Sequence, residues 1–370
     1  MKSLFYLLLF TLFISNKILA QGHYGVSGIV ADEKGQPVKS ATVFISGTEK
    51  ITMTDDAGRF LFHKIDAGTF TVSVSMVGYF PYAQNIIIKE NAVNVSIILK
   101  LKTIVLAEVV IGGKVSAWAT NYEVFKKAFL GTSANGRQCV ILNPSIINFT
   151  TKNGALLADA DEFLIIENKR LGYKIKYLLK DFSYTYDAKL SLYTGESVFE
   201  EMQGPEQLKK EWAKNRADTY KGSQMHFLRS VFSDNLLSEG FVTRQLFALV
   251  TLKEDNKIKY LNRAFIDPGQ VNLDTLVAGI DTSFKSLKFT TLYVLYDKKE
   301  AARLKGSPVT GKNPQNIELD NDRGTIIKLQ ASEAIIDRKG SYTNYKAFYV
   351  VGGFAKRRVG DQLPVEYQPQ

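Results

Sequence analysis

The stretch TFTVSVSM, residues 69–76, alternates without interruption. Phe70, Val72, Val74 and Met76 have one parity; Thr71, Ser73 and Ser75 have the other. Successive side chains of an extended chain point to opposite faces, so this is the period of a strand buried on one side. Gly68 before it and Gly78 after it read as turns. Upstream, YGVSGIVADEKGQPVKSATVFISGT (24–48) gives a strand, a turn at Glu33–Gly35 and a second strand. TDDAGRFLF (54–62) places another turn at Asp56–Gly58, and VNVSIIL (93–99) closes the set. Short strands at this spacing predict a β-sandwich.

The chain has 370 residues, 45% of them apolar and 23% charged, the composition of a folded protein with two or three domains. Residues 1–20 read as a cleavable export signal. Lys2 gives the positive start, LFYLLLFTLFI (4–14) the apolar run, and ILA before Gln21 the small residue at the cut. That run is too short to span a bilayer comfortably, which takes about 20 apolar residues. No later stretch is apolar enough to do so, so no transmembrane segment is expected after cleavage. The expected address is exported: periplasmic, outer-membrane-associated or extracellular. The 47 basic and 37 acidic side chains are dispersed rather than run together, which argues against nucleic acid as a partner. Cys139 is the only cysteine, so no internal disulfide forms, and the apolar run it begins predicts a buried thiol.

SGIVADEKGQPVKSATVFISGT (27–48), TDDAGRFLF and AGTFTVSVSMVGY (67–79) together resemble the carboxypeptidase-regulatory-like domain. The resemblance implies a seven-stranded transthyretin-like (prealbumin-like) sandwich over residues 24–101. In the carboxypeptidases this module is an accessory beside a zinc peptidase domain. That peptidase needs a His and a Glu close in sequence and a distant third His. The histidines here are His23, His63 and His226, and none is followed by Glu three residues later. A zinc carboxypeptidase is therefore not expected, nor any metal or other cofactor. His63, in FLFHKI, reads as a residue on the solvent face of a strand.

Residues 102–113 read as a linker strand. LAEVVIGG (106–113) is similar to the segment that joins this module to the plug of TonB-dependent outer-membrane transporters. The residues after Gly113 are too few for such a barrel and lack its ladder of alternating strands. An accessory role in TonB-dependent uptake stays open.

Residues 114–370 read as a β-rich α+β domain, which makes the whole chain mainly β. SAWATNYEVFKKAFLG (116–131) is an amphipathic helix with Trp118, Tyr122, Phe125 and Phe129 as its stripe, Ser116 as N-cap and Gly131 as stop. FLIIEN (163–168) and GYKIKYLLKDFSYTY (172–186) are strands, the second with Tyr173, Ile175, Tyr177 and Leu179 facing the core and Lys174, Lys176 and Lys180 opposite. TRQLFALVTLKEDNKIKYLNR (243–263) is a hairpin turning near Glu254–Asn256, and residues 205–238 are helical. FLGTS (129–133), CVILNPSIINF (139–149), WAKNRADTYKGSQMHFLRS (212–230) and RRVGDQLPVEYQP (357–369) are similar to the second half of exported Bacteroidetes proteins that begin with the same sandwich. That resemblance implies an address and an architecture, with no activity attached.

Two clusters carry chemistry. In RADTYKGSQMHFLRSVF (216–232) Ser223 caps a second helix after a break at Gly222. Met225, Leu228, Phe232 and Leu236 form its apolar stripe. His226 and Arg229 fall on an adjacent face, with Arg216 and Lys221 nearby. This is a candidate anion-binding patch, or simply the polar side of a helix. In ADADEF (158–163) Asp159, Asp161 and Glu162 could bind a cation or do acid/base work, or form a polar turn. Neither supplies a complete catalytic constellation. The expected function is a non-enzymatic envelope binding or scaffold protein, its partner an envelope protein or an acidic or carbohydrate ligand. The alternative is a hydrolase with its site in residues 114–370.

Overall fold

The structure, a computed structural model, describes residues 23–102, 114–254, 257–305, 314–320, 322–343 and 346–369. Residues 69–76 fall almost wholly in β5. The N-terminal strands are β1 (His23–Asp32), β2 (Thr42–Ile45), β3 (Ile51–Met53), β4 (Arg59–Asp66), β5 (Gly68–Ser75), β6 (Tyr82–Ile88) and β7 (Val93–Leu99). They form two sheets, β3-β2-β5-β6 and β4-β1-β7, with β1 parallel to β7. Val26, Val30, Phe60 and Phe62 of one sheet meet Val43, Ile45, Val72 and Val74 of the other in a shared core. This is the expected seven-stranded sandwich. His63 is exposed on β4, as its alternation implies. Gly35, Gly58 and Gly78 have positive φ and make the expected turns. At Gly58 a Cβ would also lie 2.4 Å from the Val30 carbonyl oxygen, so no other residue fits. Gly68 departs from expectation: it opens β5, and its missing Cβ leaves room for a carboxylate described below.

The rest of the described chain builds two large sheets and a small one. β8 (Cys139–Ile141), β9 (Ile147–Lys152), β10 (Ala155–Ala160), β11 (Phe163–Asn168), β12 (Tyr173–Thr185) and β13 (Leu190–Glu201) form one around the long β12. Helix α1 (Lys114–Leu130) lies on it. Phe125 and Phe129 stack at 4.8 Å and meet Phe182 and Tyr177 edge-on at 4.7 and 4.9 Å. The helix starts at Lys114, so Ser116 is inside it rather than at its cap. A single turn, α2 (Ala134–Arg137), follows.

Helices α3 (Glu206–Tyr220), α4 (Gln224–Phe232) and α5 (Leu236–Glu239) fill the expected helical region. The last sheet contains β14 (Phe241–Glu254), β15 (Lys257–Ile266), β18 (Thr291–Tyr296), β19 (Gln315–Glu318), β20 (Gly324–Leu329) and β22 (Phe348–Gly352). A small sheet of β16 (Val277–Gly279), β17 (Phe284–Leu287) and β21 (Ala334–Asp337) stands beside it. Helices α6 (Lys298–Leu304) and α7 (Gly353–Lys356) complete the set. The expected α+β domain thus contains two large sheets, each with its own apolar core. The linker strand expected over 102–113 lies almost wholly outside the described residues. Among the described residues no helix is long and apolar enough to cross a membrane.

The polar face of β5 is only partly in solvent. Ser73 is fully buried, and Thr69 nearly so, because the sandwich docks on the body through this sheet. Phe44, the β2 residue paired with Ser73, is completely buried against Leu178 and Val198 and meets Phe163 edge-on at 5.3 Å. The lysine face of β12 is therefore half covered by the sandwich. Lys176 pairs with Glu200, and Lys180 with Glu196 at 3.2 Å. Backbone bonds join the two units as well. Gly47 N–H donates to the Ser197 carbonyl at 2.7 Å, and Phe199 N–H to the Thr48 carbonyl at 2.8 Å.

Asp337, at the end of β21, closes the junction. Its Oδ2 accepts from the Thr69 N–H at 2.9 Å and the Thr69 hydroxyl at 3.2 Å. Its Oδ1 accepts from the Lys339 and Ser341 N–H groups at 2.9 and 3.1 Å. A Cβ on Gly68 would stand 2.9 Å from this carboxylate. Lys339 in turn pairs with Asp66 at 2.9 Å. The Phe44→Ala variant should lose about 3–5 kcal/mol of stability in denaturant unfolding. Leu61→Ala, on the exposed face of β4, should lose less than about 1 kcal/mol.

Candidate functional site

Three elements fixed by the sheet cores meet around an open cleft of about 660 Å³. Helix α1 is pinned by Phe125 and Phe129, which carries its last turn, with Lys127, to the cleft edge. Gly131 ends the helix in the left-handed region, φ 93°, with its N–H on the Lys127 carbonyl at 3.2 Å. A Cβ there would sit 3.0 Å from the Cβ of Arg358, so glycine also lets the C-terminal segment pass close by. The β12–β13 hairpin supplies Tyr184 and Ser191, which are directly paired, and Lys189 at its tip. Lys356 and Arg358 come from α7 and the segment after it.

Four cations line the cleft and, among the described residues, no carboxylate does. Lys356 Nζ bonds Asp322 at 2.6 Å, and Arg358 lies over the Tyr193 ring at 5.8 Å. Lys127 and Lys189 are exposed, and neither forms an ion pair among the described residues. The volume is within the range of small-molecule sites. A second cavity, about 350 Å³, lies on the other side of Arg358, between Gly47 of the sandwich, the start of α4 and the C-terminal segment. Asp361 Oδ2 and Gln362 Oε1 are buried there with no hydrogen-bond partner among the described residues. A polar chamber of this kind suits ordered water.

The residues singled out from sequence lie elsewhere. Ser223 does cap α4, accepting from the His226 N–H at 3.0 Å after a left-handed Gly222. But α4 has no solvent face: His226, Phe227, Leu228, Arg229, Ser230 and Val231 are all buried. The helix is wedged between cores, so its polar side is spent on internal bonds. His226 Nδ1 accepts from the Gly222 N–H and Nε2 meets Glu239 Oε2, both at 3.0 Å. A nitrogen that accepts cannot carry a proton, so the ring is neutral with its hydrogen on Nε2. Arg229 donates to the carbonyls of Lys339, Tyr367 and Val365 at 3.0, 2.8 and 3.0 Å. It fastens the C-terminal segment. Arg216 lies 3.9 Å over the Tyr173 ring and bonds the Leu171 and Gly172 carbonyls and Glu201. Lys221 pairs with Asp218 at 3.0 Å on the surface. The expected exposed cationic patch is therefore dispersed into structural contacts.

Asp159 is exposed near the end of β10, and Asp161 and Glu162 are exposed at the β10–β11 turn. Asn148 donates to Asp159 at 3.1 Å, and Lys102 pairs with Asp161. Among the described residues no three His, Cys, Asp or Glu side chains stand close enough to hold a metal ion. Cys139 is buried, and burial pushes its thiol up to about 12. The cleft cations were missed because they are far apart in sequence. The only linear trace is the run Lys356–Arg357–Arg358.

Residues 26–111 match the family model described as the CarboxypepD_reg-like domain. The chain carries a CarboxypepD_reg-like domain. No curated protein matches the chain. Among solved structures it is similar to a type II cohesin–X-dockerin complex mutant from Acetivibrio cellulolyticus, at 20% identity over 27% of this chain and 73% of that one, TM-score 0.21. A DUF3823 family protein from Bacteroides ovatus matches at 8% identity over 50% of this chain and 83% of that one, TM-score 0.18. BcpA, the major pilin subunit of Bacillus cereus, matches at 8% identity over 90% of this chain and 70% of that one, TM-score 0.21. The CarboxypepD_reg-like domain holds none of the cleft residues, all of which come from the body.

Burial lowers the His226 pKa, against an opposing pull from Glu239. The neutral ring is the one that fits, so its contribution is present above the ordinary histidine value of about 6.5 and is lost as pH falls below it. Stability followed by denaturant melts should therefore drop from pH 7 toward pH 5. His226→Gln should flatten that slope.

Proposed function

We propose that this chain is a non-enzymatic binding protein of the cell envelope, and that the basic cleft holds an anionic partner. The observation that carries this reading is the convergence of Lys127, Lys189, Lys356 and Arg358 on one cleft of ligand size that no carboxylate among the described residues lines. Cations held apart by rigid elements raise the local concentration of anions and meet them with charge-assisted bonds. The export signal read at residues 1–20 favours the envelope or the extracellular space. The CarboxypepD_reg-like domain favours an accessory role, since its relatives in the carboxypeptidases assist a separate catalytic domain. Its wide contact with the body suits a rigid support more than a detachable spacer. The hydrolase alternative draws less support. Asp159, Asp161 and Glu162 share no hydrogen-bond partner with His226, and each carries a structural contact or faces solvent.

Tripolyphosphate added to the purified chain should bind by calorimetry, with affinity falling as salt rises. The Lys127→Ala/Lys356→Ala double variant should weaken it by about tenfold or more. Chromogenic esters and glycosides should show no turnover above background. Turnover abolished by Asp159→Asn or His226→Gln would contradict the reading.

A further inference from the structure

The lining of the cleft is richer than an inorganic anion needs. Beside the cations stand a partly exposed aromatic ring, Tyr184, the hydroxyls of Thr132 and Ser191, and the apolar side chain of Val124. Tyr186 meets Tyr184 edge-on at 5.3 Å and 90°, which holds the ring at the mouth. A volume of about 660 Å³ accommodates several linked rings rather than one phosphate.

A second observation is independent of the lining. Lys189 has φ 49°, in the left-handed region, at the tip of the β12–β13 hairpin. Glycine or asparagine takes that conformation with little strain, and a lysine does not. Ser40, Lys64, Asn153 and Asp234 take the same conformation elsewhere, so the weight at Lys189 lies in where its side chain stands. Here the side chain is an exposed cation facing the cleft from the hairpin, opposite Lys127 on α1.

We infer that the cleft takes an acidic oligosaccharide, with a sugar ring on Tyr184 and its anionic groups between Lys127 and Lys189. The inference rests on the anion-binding reading above and adds the chemical class. Sugar rings offer C–H faces to an aromatic side chain and hydroxyls to Thr132 and Ser191, while carboxylates or sulfates meet the lysines. Single-stranded nucleic acid also combines anions with rings, but its tracks present a series of aromatic platforms along a groove. Among the described residues that line this cleft Tyr184 is the one aromatic.

The test is calorimetry on the full purified chain with four probes: trigalacturonate, maltotriose, tripolyphosphate and an oligothymidylate. Trigalacturonate should bind at least about tenfold more tightly than the neutral maltotriose. Lys189→Asn should weaken trigalacturonate by about tenfold, yet melt at the same temperature or higher, because asparagine relieves the backbone. Tyr184→Leu, which keeps an apolar side chain against the core, should weaken trigalacturonate and leave tripolyphosphate unchanged. If tripolyphosphate binds and trigalacturonate does not, or Tyr184→Leu affects neither, the saccharide assignment falls while the anion cleft stands. Equal binding of maltotriose, or tighter binding of the oligothymidylate, also overturns it. If no probe binds, both readings fall together.

Discussion

A carboxylate with 1% of its surface exposed, Asp337, governs how the two halves of this molecule meet. An unpaired charge at that depth would cost several kcal/mol. Four donors surround it, two of them on Thr69 of the sandwich. The bonds form only if β5 and the turn after β21 are in register, and only if residue 68 has no side chain. Around this polar pin the apolar contact of Phe44 with Leu178 and Val198 supplies the burial. A specific polar contact thus sets the orientation, and a non-directional apolar one supplies most of the stability.

The C-terminal segment turns that junction into a scaffold for the cleft. Val365 N–H bonds the Gly47 carbonyl of the sandwich at 2.8 Å. Arg229 holds the Val365 and Tyr367 carbonyls from α4. Asn168 donates to the Gly360 carbonyl and Asn135 to Asp361, both at 2.8 Å. Lys356 and Arg358 sit on this segment, so their positions against α1 and the β12–β13 hairpin are set by contacts with every layer of the fold. A cleft built this way keeps its charges apart without a ligand.

Local patterns in the sequence carried the elements well. The alternation in TFTVSVSM, the aromatic spacing of α1 and the Gly222–Ser223 break correspond to β5, α1 and the start of α4. What no local pattern holds is which polar face meets water. Ser73 reads as solvent-facing and is buried, because the residues that cover this face, from Phe163 to Asp337, lie far along the chain. His226 and Arg229 read as an exposed patch for the same reason. Arg229 spends its donors on carbonyls over a hundred residues downstream. The cleft was illegible on the same ground, since Lys127, Lys189, Lys356 and Arg358 become neighbours only after the core shared by α1 and β12 and the core that carries α7 have both formed.

We place anion binding where α1, the β12–β13 hairpin and the C-terminal segment meet, and not in the sandwich or on α4. Hydrogen–deuterium exchange of the full chain with and without trigalacturonate tests it most directly. Added protection is expected in peptides covering residues 127–133, 184–191 and 356–358, with α4 and the open face of the sandwich unchanged. Protection confined to the β4-β1-β7 face or to the Asp159–Glu162 turn would contradict it.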